Sequence, residues 1–88
     1  MKLIIMILDD RDAEIVSHAL TEKDFKVTHV ASTGGFMRHG RCTFLIGVED
    51  EQVDDVMVLM RETVPPPEHH RGPRALAFVL NVDQYEQL

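Results

Sequence analysis

The sequence predicts an α+β domain of order β-α-β-β-α-β, an antiparallel sheet carrying two helices on one face. Three observations carry that expectation. Leu3-Ile4-Ile5-Met6-Ile7-Leu8 and Ala75-Leu76-Ala77-Phe78-Val79-Leu80 are continuously apolar, as strands covered on both faces read. Between them, two stretches with apolar residues at helical spacing flank two extended stretches. Finally, Pro65-Pro66-Pro67 forbids continuation of the second helical pattern. With 88 residues and no internal linker or low-complexity tract, residues 1–88 form one small domain. It can bury only about 60% or slightly more of the surface its unfolded chain exposes.

Taken in order, the first strand ends at Asp9-Asp10. Ala13, Val16 and Leu20, with Ile15 and Ala19 alongside, then recur at helical spacing from Asp12 to about Lys23. Asp9, Asp10, Asp12 and Glu14 crowd the positive end of that helix dipole, which gives the acidic cluster a structural role. Phe25, Val27 and His29 alternate with Lys26, Thr28 and Val30 as a second strand, and Cys42 to Val48 reads as a third. Glu49-Asp50-Glu51 caps a second helix, in which Val53, Val56, Met57 and Met60 share a face that reaches about Glu62. The segment Pro65 to Arg74 is an exposed, partly extended loop. After the last strand, Asn81 to Leu88 leaves room for one helical turn. This is the split-βαβ or ferredoxin-like arrangement.

Such a sheet leaves one face open, yet both long strands, read here as central, are apolar on both faces. Leu3, Ile5 and Ile7 oppose Ile4, Met6 and Leu8, while Leu76, Phe78 and Leu80 oppose Ala75, Ala77 and Val79. An oligomer packing sheet against sheet is the economical cover for an apolar surface of that size.

The chain carries a net charge of −6, which argues against sequence-independent binding to nucleic acid or an anionic membrane. With no Trp and one Tyr there is little surface for stacking single strands. A lone cysteine, Cys42, excludes an intramolecular disulfide, and no apolar run approaches a membrane span or a signal-peptide pattern. The expectation is a cytoplasmic protein. Against this acidic background, Phe25 to Val48 contains no Asp or Glu but holds Lys26, Arg38 and Arg41. In its centre lies Ala31-Ser32-Thr33-Gly34-Gly35-Phe36. Two adjacent glycines allow backbone N–H groups to approach an anion closely, and Phe36 offers a flat surface for a base. Together these suggest a nucleotide phosphate site; the plainer reading is a hairpin turn with a solvated basic rim.

Residues Met1 to Ile7, Leu20-Thr21, Phe25, Val27-Thr28, Ala31 to Phe36, Gly40, Thr43, Ile46 to Asp50, Phe78 to Leu80, Val82 and Gln84 carry a resemblance. Its most specific part is Ser32-Thr33-Gly34-Gly35-Phe36 followed by Ile46-Gly47-Val48-Glu49-Asp50. On these residues the chain resembles the PII-like cyclic-di-AMP receptors of bacteria. The resemblance implies a homotrimer of ferredoxin-like subunits, sheets turned inward, with cyclic-di-AMP or another adenine nucleotide in clefts between neighbours. The expected function is a signalling protein, not an enzyme and without metal or other cofactor, that relays the ligand to a protein partner. Carried over by position, it places Thr28, Gly35, Phe36, Met37 and Gly47 around adenine and ribose, beside Gly34. Lys26 stands where the family commonly has Arg near phosphate, and Gln84, followed by Tyr85, where it has a Gln-Phe pair.

Three departures stand out. Asp24 and Arg41 occupy positions where the family tends to have Asn. The long loop that usually precedes the last strand is reduced to Pro65–Arg74, in which His69, Arg71 and Arg74 either restore phosphate contact or form a solvated turn. A member with this loop shortened could also be a ligand-free structural or interaction module of the same trimeric fold. Other chemistries fit less well. A receiver domain requires a late Lys, but the lysines are Lys2, Lys23 and Lys26; a zinc site from His39, His69, His70 and Cys42 lacks closely spaced ligands. No nucleophilic triad or Walker sequence is present.

Overall fold

The computed structural model describes residues 1–30, 40–67 and 72–88. Within them run β1 (Lys2–Asp9), α1 (Asp10–Glu22), β2 (Val27–Val30), β3 (Arg41–Val48), a 3-10 turn (Asp50–Gln52), α2 (Val53–Thr63) and β4 (Ala75–Asn81). The strands form one antiparallel sheet in the order β2-β3-β1-β4, so the fold is the ferredoxin-like one predicted. β1 is central, paired along its length with β3 on one side and β4 on the other. β4, by contrast, lies at an edge and not in the centre as its apolar sequence suggested. Exposed apolar residues on an edge strand read the same in sequence as buried ones, because periodicity does not register what covers them.

The core lies between the sheet and the helices. Ile4, Met6 and Leu8 of β1 and Cys42, Phe44, Ile46 and Val48 of β3 meet Val16 and Leu20 of α1 and Val56 and Met60 of α2. Full burial of a side chain such as Phe44 stabilises the fold by about 1.5–3 kcal/mol. Ile15 falls off this face and stands 55% exposed, so it does not belong to the apolar stripe with Val16.

Asp9 caps α1 by accepting a hydrogen bond from the backbone N–H of Arg11 at 2.9 Å. At the other end, the N–H of Asp24 donates to the carbonyl of Thr21 and that of Phe25 to Leu20, at 3.0 Å each. Asp24 has φ 65. This is a Schellman motif, with Asp24 in the left-handed position that Asp and Asn tolerate best after glycine. Phe25 packs against the core as the residue following that turn. The second strand therefore begins at Val27, two residues later than alternation predicted, because Phe25 completes the helix end. A capping box joins Glu49 and Gln52 ahead of α2, as the acidic run there foreshadowed. After β4 the tail from Val82 to Leu88 forms no helical turn.

Candidate functional site

Alternation divides the sheet into two faces. Leu3, Ile5 and Ile7 pair across with Leu80, Phe78 and Leu76 on one side and with Gly47, Leu45 and Thr43 on the other, all on the face away from the helices. Phe78 is 53% exposed and Leu80 46%, so an apolar surface lies open there. At one end of it is a cavity of about 610 Å³ whose lining includes Leu3, Lys26, Thr28, Leu45, Gly47 and Tyr85. That volume falls within the range of small-molecule sites.

The geometry follows from the register. Thr28 is opposite Leu45, so both project from the open face, and Lys26, two residues earlier on the chain, lies beside Gly47. Gly47 faces Leu3 on its other side. A Cβ at Gly47 would meet no atom within 4 Å, so the backbone at this position opens directly onto the hollow. The tail closes the cavity: the N–H of Val82 donates to the carbonyl of Met1 at 3.1 Å, bringing Tyr85 and Gln87 alongside. Among the described residues of the lining, Lys26 has the one charged side chain. A cation, a hydroxyl, an exposed aromatic ring and a bare backbone can together receive a phosphate and a flat base.

Of the residues singled out from sequence, Lys26, Thr28 and Gly47 come together in this cavity. Gln84 does not line it; its amide donates to Glu86 Oε2 at 2.7 Å while its neighbour Tyr85 faces the hollow. Arg41 shares the open face with Gly47 but sits six residues earlier on β3, about 20 Å away. Its Nη2 donates to the carbonyl of Pro73 at 3.4 Å. Gly34, Gly35, Phe36 and Met37, with Arg38 and His39, lie outside the described residues, as do His69, His70 and Arg71. Leu3, Val82 and Gln87 were missed by the sequence reading. The signal was available: a tail leaving β4 antiparallel to β1 must emerge beside the start of β1, where Gly47 stands.

Around the opposite end of β1 the sheet is tied by charge. Arg74 donates from Nη2 to Asp12 Oδ1 at 2.7 Å and from Nε to Oδ2 at 3.0 Å, with both side chains nearly removed from solvent. The Asp12 hydrogen bond raises the Arg74 guanidinium pKa above its ordinary value. Arg74 is thus neither a phosphate contact nor part of a solvated turn, the two roles its sequence position left open. Arg11 likewise grips Asp9 from Nη2 at 2.8 Å and Nε at 3.0 Å, and these hydrogen bonds hold the Asp9 carboxyl well below the usual range. Gly40, at φ 69, accepts a hydrogen bond from the N–H of Asp10 at 2.5 Å. Burial pushes the thiol of Cys42 up to about 11, with the Asp10 charge adding to the effect. Among the described residues no cluster of His, Cys, Asp or Glu could hold a metal ion, and no helix is long and apolar enough to cross a membrane.

Comparison with known proteins bears on this site. Among solved structures, the chain is similar to a functionally unknown protein from Pediococcus pentosaceus ATCC 25745, whose crystal structure matches with a TM-score of 0.80 at 32% identity. The match covers 99% of this chain and 96% of that one, so no long loop sets the two apart. The family model described as "Cyclic-di-AMP receptor" matches residues 1–68, a span that contains Lys26, Thr28, Gly47 and the whole Gly-Gly segment between them. The chain therefore belongs to the cyclic-di-AMP receptor family.

Proposed function

We propose that the protein is a non-catalytic cytoplasmic sensor that binds cyclic-di-AMP in the open-face cavity and relays its presence to a protein partner. The observation carrying this reading is the placement of Lys26, Thr28 and Gly47 around one hollow on the apolar face of the sheet. A surface bearing Leu3, Ile5, Phe78 and Leu80 favours packing against other copies, and in a homotrimer with sheets inward the ligand would sit between two subunits. Lys26 would face a phosphate, Thr28 would hydrogen-bond the base or ribose, and Gly47 would leave room for the adenine. Gly34, Gly35, Phe36 and Met37, as the family resemblance implies, would supply backbone and ring contacts to the ligand. Arg41, distant from the hollow within one subunit, and Gln84, which does not line it, would contribute across the interface.

Calorimetry with cyclic-di-AMP, cyclic-di-GMP, ATP and ADP tests the reading. Saturable heat with cyclic-di-AMP at lower concentration than with the others is expected. Absence of heat with all four at high micromolar concentration would favour a ligand-free interaction module instead.

A further inference from the structure

We propose that the groove on the outer, helical side of the domain, between the end of α1 and α2, docks an amphipathic helix of a partner protein. That helix would carry Lys or Arg at i and i+7 and large apolar side chains at i+3 and i+4. The proposal gives chemistry to the protein partner of the preceding reading and rests on that part of it alone.

The groove is built from one helix face and one turn. Along α2, Asp55, Val58, Leu59 and Glu62 follow the i, i+3, i+4, i+7 spacing of a single face, a second stripe rotated away from the buried Val56 and Met60. With Lys23, Phe25 and Gln52 they line a hollow of about 530 Å³. Phe25 and Leu59 also pack against the core, whereas Val58 is 48% exposed. Both ends are held in place. The N–H of Phe25 donates to the carbonyl of Leu20 at 3.0 Å, and Gln52 Oε1 accepts the N–H of Glu49 at 2.8 Å. A groove already fixed in shape costs little further ordering when it is filled.

Charge determines the occupant. Asp55 and Glu62 are exposed, about 10 Å apart along the helix axis, and neither forms an ion pair among the described residues. Lys23 supplies the one cation of the lining and leaves the carboxylates in excess. The surroundings are acidic too: α1, the 3-10 turn and α2 hold nine of the chain's 15 carboxylates and two of its nine Lys and Arg residues. Such a surface repels nucleic acid and anionic membranes. It attracts a cation at each end of an apolar anchor, and the helical spacing of its own contact residues suits a helix laid against it. A second copy meeting the same face would bring Asp55 and Glu62 against their own counterparts. Because the helices cover the face opposite to Phe78 and Leu80, assembly through the open face leaves this groove on the outside.

The test is a displayed library of amphipathic helices randomised along one face and selected, without nucleotide, on the intact protein. Enriched helices should place Lys or Arg seven positions apart around large apolar residues. By fluorescence anisotropy they should lose at least about ten-fold in affinity for Asp55→Lys/Glu62→Lys and regain it when their own cations are replaced by Glu. Both substitutions are at exposed positions, so melting and sedimentation should stay as in wild type. Val58→Asp should weaken the same helices, and Lys23→Gln should strengthen them. No enrichment above a blank surface, or enriched helices indifferent to both Asp55→Lys/Glu62→Lys and Val58→Asp, would overturn the proposal. Nucleotide calorimetry is a separate measurement, so the two readings can fail independently.

Discussion

Asp12 and Arg74, 62 positions apart, form a two-pronged ion pair that fastens the end of the proline-rich connection to the first turn of α1. With Asp12 only 3% exposed, replacing its partner strands a buried carboxylate. Arg74→Met should therefore lower the thermal midpoint by roughly 10 °C or more at neutral pH. The double variant Asp12→Leu/Arg74→Met should recover much of that loss. Equal midpoints for Arg74→Met and wild type would show that the pair contributes nothing.

Asp9 gives a pH dependence of defined sign. Its carboxyl titrates below its unfolded-state value of about 3.9, chiefly because Arg11 hydrogen-bonds the charged form. The stabilisation is present above about pH 4 and is lost as pH falls toward the folded-state value. Asp9→Asn should reduce the midpoint at pH 6 and flatten its decline between pH 4 and pH 2, as read by thermal melts. An unchanged slope would assign acid sensitivity to other groups.

Cys42 titrates in the other direction. Held neutral up to about 11, the thiol contributes stability below its unfolded value near 8.5 and loses it as pH rises through the folded one. At pH 8 alkylation by iodoacetamide should be slow in buffer and should accelerate with the unfolded fraction in urea. Fast labelling of the folded protein would contradict the burial of Cys42 beneath the start of α1.

The ligand site is tested by two substitutions with different structural consequences. Gly47→Val introduces a side chain where no atom lies within 4 Å, so the fold should melt as wild type does while cyclic-di-AMP binding is lost. Phe36→Ala should weaken binding about five- to hundred-fold if the ring stacks on a base, from the roughly 1–3 kcal/mol of such contacts. Full affinity in both variants would move the nucleotide away from this end of the sheet.

Assembly is read at Phe78, half-exposed in the middle of the open face. Sedimentation of the wild type should give a trimer, and Phe78→Asp should shift it to monomer with its secondary structure retained. A wild-type monomer in dilute buffer would remove the reason for placing ligand between subunits.

Much of this was legible in residue order. Val16, Leu20, Val56 and Met60 sit at helical spacing and all four are buried. Gly47 was recognisable through its neighbours Ile46 and Val48, and it lines one hollow with Lys26 and Thr28. What stayed hidden depends on contacts that local pattern does not encode. Alternation through Phe25 looked like a strand, although a left-handed Asp24 had already committed it to the helix end. Arg74 looked solvated among prolines and histidines because its partner, Asp12, lies on the far side of the chain. Arg41 read as one of a basic set with Lys26, but the length of β3 separates them.

The central position of β1 has a kinetic consequence. Its two neighbours close over unequal stretches of chain, and the β4 contact joins Lys2 to Asn81 across 79 positions. Pairing of β1 with β3 spans fewer residues, so its closure entropy is lower and the β2-β3-β1 unit is the earlier one to form. Until β4 arrives, β1 presents to solvent an unpaired edge along its apolar run Leu3 to Leu8. The species at risk of sticking to its own kind is thus a three-stranded intermediate, and refolding yield should fall with protein concentration even when the final state is soluble. Substitutions that delay β4, such as Leu80→Thr, should lower that yield further, whereas those in β2 should act mainly on the rate of the first step.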